Sequence, residues 1–278
     1  MNSNKATIAW LASYPKSGNT WTRIFLANFL LNQSEPVPIN EVHRIGVGDA
    51  ISGGYKKVNG GRYDPSDTEG HLKLRGKFLG ALARNGADLN FVKTHNLNDH
   101  AFGTRLIDPA LTRCAVYIVR NPLDVVISYA RHYGQTPSLA CQSLARSDNT
   151  TTADANSVKQ YLGKWADHVR GWTKTKAFPV HVMRYEDMLA DPEPTFSAFL
   201  EFLGIPSDPE RLTRAVKFSS FDVVSKQEAT NGFIERSNNN QKFFHTGTAD
   251  QWKEVLTDED IAFVHKTQGA MMKRFGYL

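Results

Sequence analysis

The chain has 278 residues, enough for one large domain or two small ones and for a core that needs no metal or disulfide. Apolar residues make up 41% and charged residues 22%, which excludes collagen-like, disordered and coiled-coil chains. The formal charge of +5 hints at an anionic ligand but is too small to argue for a nucleic-acid partner.

The two cysteines, Cys114 and Cys141, form neither a disulfide framework nor a zinc spacing. Met1 to Ala6 is polar, with no basic segment ahead of a long apolar one, so no signal peptide is expected. The densest apolar stretch, Ile24 to Leu31, falls far short of the ~20 residues of a membrane span. A soluble, cytoplasmic protein with no membrane partner is expected.

In chain order, Ala6 to Tyr14 is an apolar run stopped by Pro15 and reads as a buried strand. Thr20 to Leu31 places Trp21, Ile24, Phe25, Leu26, Phe29 and Leu30 at helical spacing. Asn90 to Thr94 is a second strand, with Lys93 and His95 at its end, and Cys114 to Val119 a third, ending at Arg120. Asn121-Pro122-Leu123-Asp124 has the form of a helix start: an Asn cap, Pro at the first position and an acid in the first turn. Val180 to Arg184 is a fourth strand, ending at Tyr185. Helical patterns cover Val158 to Thr173, Pro194 to Leu203 and Asp258 to Arg274. Asn32 to Lys77 is glycine-rich with little periodicity, and the stretch from Tyr133 to Ser157 is polar over most of its length. Both read as long loops, either functional lids or disordered segments.

Strands alternating with helices predict an α/β fold: a single domain over residues 1–278, with a central parallel sheet flanked by helices. Such sheets bind ligands beyond the carboxyl ends of their strands. The polar strand ends, Tyr14 with Lys16, His95, Arg120 and Tyr185, are therefore the candidate site.

Ser13 to Trp21 joins a strand to a helix through Lys16, Ser17, Gly18, Asn19 and Thr20. A glycine loop at a helix N-terminus offers unpaired N–H groups and a positive dipole end, which suits a phosphate. An ordinary capped turn is the alternative. The Walker pattern GxxxxGK[ST] is absent, and here the lysine precedes the glycine. Arg120, with Ser128 two turns into the next helix, suits a second phosphate. The alternative is an Arg120 paired with Asp124 and a Ser128 that faces a neighbouring helix. A kinase would use an acid at such a strand end to help hold Mg²⁺, whereas this strand ends in Arg120. No metal-ligand spacing occurs among the nine histidines, and no metal site is expected. His95 stands out because it ends a strand, with His132 and His245 in reserve.

Tyr14-Pro15-Lys16-Ser17-Gly18-Asn19-Thr20-Trp21 resembles the 5′-phosphosulfate loop of the PAPS-dependent sulfotransferases, with Asn19 where that family often has Thr. The segment from Val116 to Tyr133 resembles the family's 3′-phosphate motif, and Lys93-Thr94-His95 its Lys-Thr-His segment. Tyr185-Glu186-Asp187 and Ser219-Ser220-Phe221 resemble two further adenine-side segments. The resemblance implies a P-loop-like core that binds 3′-phosphoadenosine 5′-phosphosulfate (PAPS). Lys16 would contact the bridging oxygen and the sulfuryl group, Trp21 and Phe221 would stack on adenine, and Tyr185 would touch it. Arg120 and Ser128 would hold the 3′-phosphate. His95 would be the general base and Lys93 a second cation. In this reading Ser128 also restrains Lys16 until an acceptor arrives.

The C-terminal match is partial. Phe244-His245-Thr246-Gly247 stands where many members have an Arg-Lys-Gly, so Gly247 is expected to contact the donor. The roles of His245, Thr246, Arg236 and Lys242 stay open. The dimer motif of some members is degraded: Lys253 and Thr257 match, Asp258 and Ala262 do not. The expected function is sulfuryl transfer to a hydroxyl or amine of a small molecule. The alternatives are a P-loop phosphotransferase and a non-catalytic nucleotide- or polyanion-binding module. Acceptor walls are expected from the loops Asn32 to Lys77, Leu97 to Phe102, Tyr133 to Ser157 and Gly232 to Phe244, with Tyr55, Tyr63, Phe102, Tyr133, Phe233, Phe243 and Phe244 beside Asp49, Asp64, Asp67 and Glu69.

Overall fold

A computed structural model describes residues 6–236 and 242–278. The polar start read for a leader therefore lies almost wholly outside the described residues, as does the middle of the 232–244 loop. The elements are β1 (Ile8–Ser13), α1 (Asn19–Leu31), a 3-10 turn (Ile39–Ile45), β2 (Gly46–Gly48), α2 (Ser52–Val58), α3 (Thr68–Ala83), β3 (Asn90–Thr94), β4 (His100–Ala101), β5 (Thr104–Arg105), β6 (Thr112–Val119), α4 (Pro122–Tyr133), α5 (Pro137–Leu144), α6 (Trp165–Thr173), β7 (Val180–Arg184), α7 (Tyr185–Ala190), α8 (Pro192–Phe202), α9 (Pro209–Phe218), α10 (Phe221–Asn231), α11 (Trp252–Val255) and α12 (Asp258–Arg274).

The fold is α/β. Five strands form one sheet in the order β2-β3-β1-β6-β7, and β3 pairs in parallel with both β1 and β2. All six residues of β1 are buried, as an interior strand requires. The chain leaves β1 to build one side of the sheet and later returns to build the other. A strand at such a reversal of order is where open α/β sheets hold ligands, and the chain leaves it through Tyr14 to Gly18 into α1.

The chain clusters into two compact units, each made of three segments, a division the one-domain reading does not contain. The first is Met1–Tyr14, Gly46–Tyr117 and Arg146–Val182; the second is Pro15–Ile45, Ile118–Ala145 and Met183–Leu278. The first buries Trp172 against Trp10, Tyr117 and Phe178. The second is centred on Phe25, whose ring stacks on Phe196 at 3.9 Å beside Phe29 and Phe199. A further apolar cluster there joins Ile24, Val37, Ile39, Val224 and Phe233.

The cap signals are met where they were read. Asn121 accepts from Leu123 N at the start of α4, and Gly134 ends that helix at φ 65°. Three readings are corrected. The helix expected from Val158 begins only at Trp165. The preceding backbone bonds to another segment instead: Thr151 N donates to Gln160 O, and Leu162 N and Gly163 N donate to Asn149 O. The stretch Asn32 to Lys77 is largely structured rather than a loop, and it carries the 3-10 turn, β2, α2 and the start of α3. Gly70, Gly76 and Gly80 dilute the periodicity of α3, whose start is fixed by Asp67 accepting from Gly70 N. The polar stretch after Tyr133 likewise contains α5, capped by Thr136. Among the described residues, no helix is long and apolar enough to cross a membrane.

Candidate active site

The anion-binding residues read from the sequence gather in the second unit. Lys16 at φ 69° and Gly18 at φ 104° put two nearby residues of the loop in the left-handed region, a turn that can aim backbone N–H groups at one point. A Cβ on Gly18 would lie 2.8 Å from the Tyr185 ring, so only glycine fits there. Ser17 is wholly buried, and its Oγ has no protein partner. Arg120 is 6% exposed and lies over the Tyr185 ring at 4.2 Å. Its Nη1 donates to Lys16 O at 3.2 Å and its Nη2 to Thr248 O at 3.3 Å, while its Nε has no protein partner. Asp124, weighed above as its ion-pair partner, instead accepts from Asp250 N and Trp252 N.

Leaving a buried polar group unbonded costs about 1–3 kcal/mol. Ser17 Oγ, in the loop, and Arg120 Nε both stand unbonded, and Arg120 is tied to the loop carbonyl of Lys16 and to the Tyr185 ring beside Gly18. A phosphorylated ligand would satisfy both, so these residues fit the donor. The Lys16 ammonium lies 4.0 Å from the Phe243 ring centroid.

The residues expected beside adenine fall into two groups. Trp21 packs edge-on against Tyr185 and Phe196, each at 5.9 Å. Phe221 lies so close to Gly247 that a Cβ there would be 2.3 Å from its ring. Asn19 and Thr20 are engaged differently from a simple phosphate loop. Thr20 donates to Glu235 at 3.0 Å, Asn19 accepts from Arg23 Nε at 3.1 Å, and Arg23 Nη2 holds both Glu235 oxygens at 2.8 Å. Ser128 is half-buried, one turn beyond Asp124 on α4. His245 is pushed below its ordinary pKa, first by burial and then by Arg131, Lys242 and Lys16, with Glu228 opposing. It therefore sits in a cationic field. The other reserve histidine, His132, lies edge-on to Tyr133 and Phe243.

Lys93 and His95 belong to the first unit, at the end of β3. His95 is held at three atoms. Its backbone N donates to Gln160 Oε1 at 3.0 Å, its carbonyl accepts from His168 Nε2 at 3.1 Å, and its ring Nδ1 lies 2.8 Å from Ser13 O. A carbonyl can only accept, so Nδ1 carries the proton and the basic lone pair is on Nε2. The same logic fixes His168. Its Nε2 donates to His95 O, so its Nδ1 accepts from the Tyr117 hydroxyl at 2.9 Å. Burial holds His168 down to about 4, hence neutral, and pushes the Tyr117 hydroxyl well up. Sequence reasoning missed His168 and Gln160. His168 lies in the stripe Trp165, Val169, Trp172 of α6, and a histidine on such a face was the available signal.

Several expected acceptor residues have other roles. Tyr55 and Phe233 are core, and Tyr63 donates to the carbonyls of Asp154 and Ser157. The acids make local or buried contacts: Asp64 binds Ser66, Asp67 caps α3, Glu69 pairs with Lys73, and Asp49 is buried against Arg75. Phe102 is 87% exposed and Phe243 lies over Lys16.

A strand-to-helix loop with two left-handed residues, backed by an arginine with an unbonded buried donor, has the donors and charge that an anion requires. The family model described as "Sulfotransferase domain" matches residues 7–276, and the chain belongs to that family. Sulfotransferase 2A2 of Mus musculus is 29% identical over 147 residues, 51% of this chain and 50% of that protein. The 3-alpha-hydroxysteroid sulfotransferase of Cavia porcellus is 24% identical, covering 88% of this chain and 76% of its own. The matches thus span about half the length of the first of these curated relatives. A mouse sulfotransferase complexed with PAP shares the fold at TM-score 0.61 and 18% identity, covering 96% of this chain and 85% of that one. A retinol dehydratase in complex with androsterone and PAP does so at TM-score 0.65 and 18% identity, covering 97% and 81%.

Proposed function

We propose that this protein is a PAPS-dependent sulfotransferase that moves a sulfuryl group to a hydroxyl or amine of a small-molecule acceptor. The observation that carries the reading is the pair of unbonded buried groups, Ser17 Oγ and Arg120 Nε, in a chain whose family is defined by this chemistry. Relatives named as hydroxysteroid and flavonol sulfotransferases support a small organic acceptor.

PAPS supplies the sulfuryl group and a phosphate leaving group. His95 takes the acceptor proton at Nε2 as the acceptor oxygen or nitrogen bonds to sulfur and the bond from sulfur to the phosphate oxygen breaks. The electron pair of that bond leaves on the phosphate oxygen, where Lys16 neutralises the charge. Lys93 stabilises the sulfuryl oxygens. Ser17, the N–H groups around Gly18, Arg120 and Ser128 hold the donor's phosphates, and Trp21, Tyr185 and Phe221 hold its adenine. Asn19, Thr20 and Gly247 complete the donor contacts. Orientation and charge stabilisation of this kind supply most of the rate in such transfers.

The test is an acceptor panel with radiolabelled donor. Labelled product is expected from at least one phenol or alcohol, and binding of ATP–Mg²⁺ in preference to 3′-phosphoadenosine 5′-phosphate (PAP) would sink the reading. In His95→Ala, loss of the general base is expected to lower kcat by about 10²- to 10⁴-fold with PAP affinity unchanged.

A further inference from the structure

Asp49 follows β2 directly and is wholly buried. Its Oδ2 accepts from Arg75 Nη2 at 2.6 Å, Thr94 Oγ1 at 2.7 Å and Asn96 Nδ2 at 2.9 Å. Its backbone N donates to Lys93 O at 2.9 Å. Asp49 is thus bonded to Lys93, Thr94 and Asn96, the residues on either side of His95. Arg75 is fixed in turn by bonds to Leu106 O at 2.6 Å and to the Tyr55 hydroxyl at 3.3 Å. Asn96 passes the order outward, accepting from Tyr161 N at 2.8 Å and Trp172 Nε1 at 3.0 Å.

A buried ion pair is poor value for stability, since desolvation offsets much of its attraction. This one is poorer still, because Asp49 Oδ1 has no partner. An apolar pair of similar volume would serve the core as well. What it would not do is bind both neighbours of one histidine through a single oxygen.

We propose that Asp49, held by Arg75, is a positioning residue for His95: it fixes the backbone on both sides of the base and so sets where Nε2 points. The inference rests on the reading of His95 as the base. It predicts an effect on turnover rather than on binding, because a misplacement of about 1 Å can cost on the order of 100-fold in rate.

The experiment is a double-mutant cycle at saturating donor and acceptor, using Asp49→Asn, His95→Ala and the pair, with PAP affinity as a check on folding. Asp49→Asn leaves Arg75 uncompensated, so the charge-balanced Asp49→Asn/Arg75→Gln is measured beside it. Thr94→Val, which removes one bond and keeps the ion pair, is the milder probe. The expected result is a fall in kcat of about 10- to 100-fold for both Asp49 variants and a smaller fall for Thr94→Val. KM values and PAP affinity are expected to stay within about twofold, and Asp49→Asn to have no further effect in the His95→Ala background. The proposal is overturned if the folded charge-balanced variant keeps wild-type kcat, or if the Asp49→Asn loss appears undiminished on His95→Ala. A His95→Ala enzyme with wild-type kcat would instead remove the general-base reading, and the proposal with it.

Discussion

At the scale of single residues, the proposed donor site turns on Arg120. Its guanidinium meets two carbonyls and an aromatic face, and it retains one unbonded nitrogen. Lysine has no planar fork and stacks less well, so Arg120→Lys is not a conservative change. Loss of a charge-assisted bond of this kind costs about 1.5–3 kcal/mol. Calorimetry is therefore expected to show PAP affinity about 10- to 100-fold weaker in Arg120→Lys, with AMP affinity much less affected if the arginine reads the 3′-phosphate. The sequence exposed Arg120 because a charged residue ended an apolar strand. It could not say that Asp124 was committed elsewhere, because residues 250 and 252 lie more than 120 positions away.

At the scale of elements, two pieces carry separate predictions. The first is the turn between β1 and α1. Gly18 combines φ 104° with a 2.8 Å approach to Tyr185, so any Cβ strains the loop and pushes the ring. Gly18→Ala is expected to weaken PAP binding and to lower stability by about 1–3 kcal/mol, read from urea midpoints.

The second is α6. Its His168 stays neutral in the folded protein down to about pH 4, whereas an unfolded histidine takes a proton near 6.5. Between those values the unfolded state binds the extra proton, so stability is present above about pH 6.5 and falls as pH drops toward 4. The span corresponds to roughly 3 kcal/mol. His71 and His181 are also depressed by burial and act in the same direction. The contribution of His168 is therefore the part of the slope that disappears in His168→Gln, measured by urea unfolding between pH 4.5 and 7. Gln can still donate to His95 O, so the variant removes the titration before it removes the contact.

At the scale of the whole molecule, the charge of +5 gains a meaning it lacked as a total. Lys16, Arg120, Arg131, Lys242 and His245 belong to one unit, where His245 is depressed first by burial and then by Arg131, Lys242 and Lys16. A ligand that binds only the folded state stabilises it by about 2.7 kcal/mol at 100 times its Kd. PAP at that excess is expected to raise Tm by several degrees. The shift is expected to shrink as salt rises and to be smaller with AMP at equal concentration. An equal shift from both nucleotides would remove the 3′-phosphate site from the account.

The alternation of strand and helix, the cap of α4, the glycine loop between β1 and α1, and the placing of Arg120 and His95 at strand ends were all legible in the sequence. Each is a local signal, carried by residues within about one turn or one strand of each other. The α3 helix, the late start of α6 and the roles of the loop acids were not. Glycines blurred the first, backbone bonds to residues 149–151 decided the second, and partners as far away as Arg75 decided the third. The same division holds at the candidate base. The sequence by itself determined that a histidine ends β3. Only the tertiary structure decided which of its nitrogens is basic, because Ser13 O reaches the ring Nδ1 across 82 residues, while Gln160 and His168 hold the His95 backbone across 65 and 73. Such contacts follow from strand order and from where the chain returns, and no local periodicity encodes them.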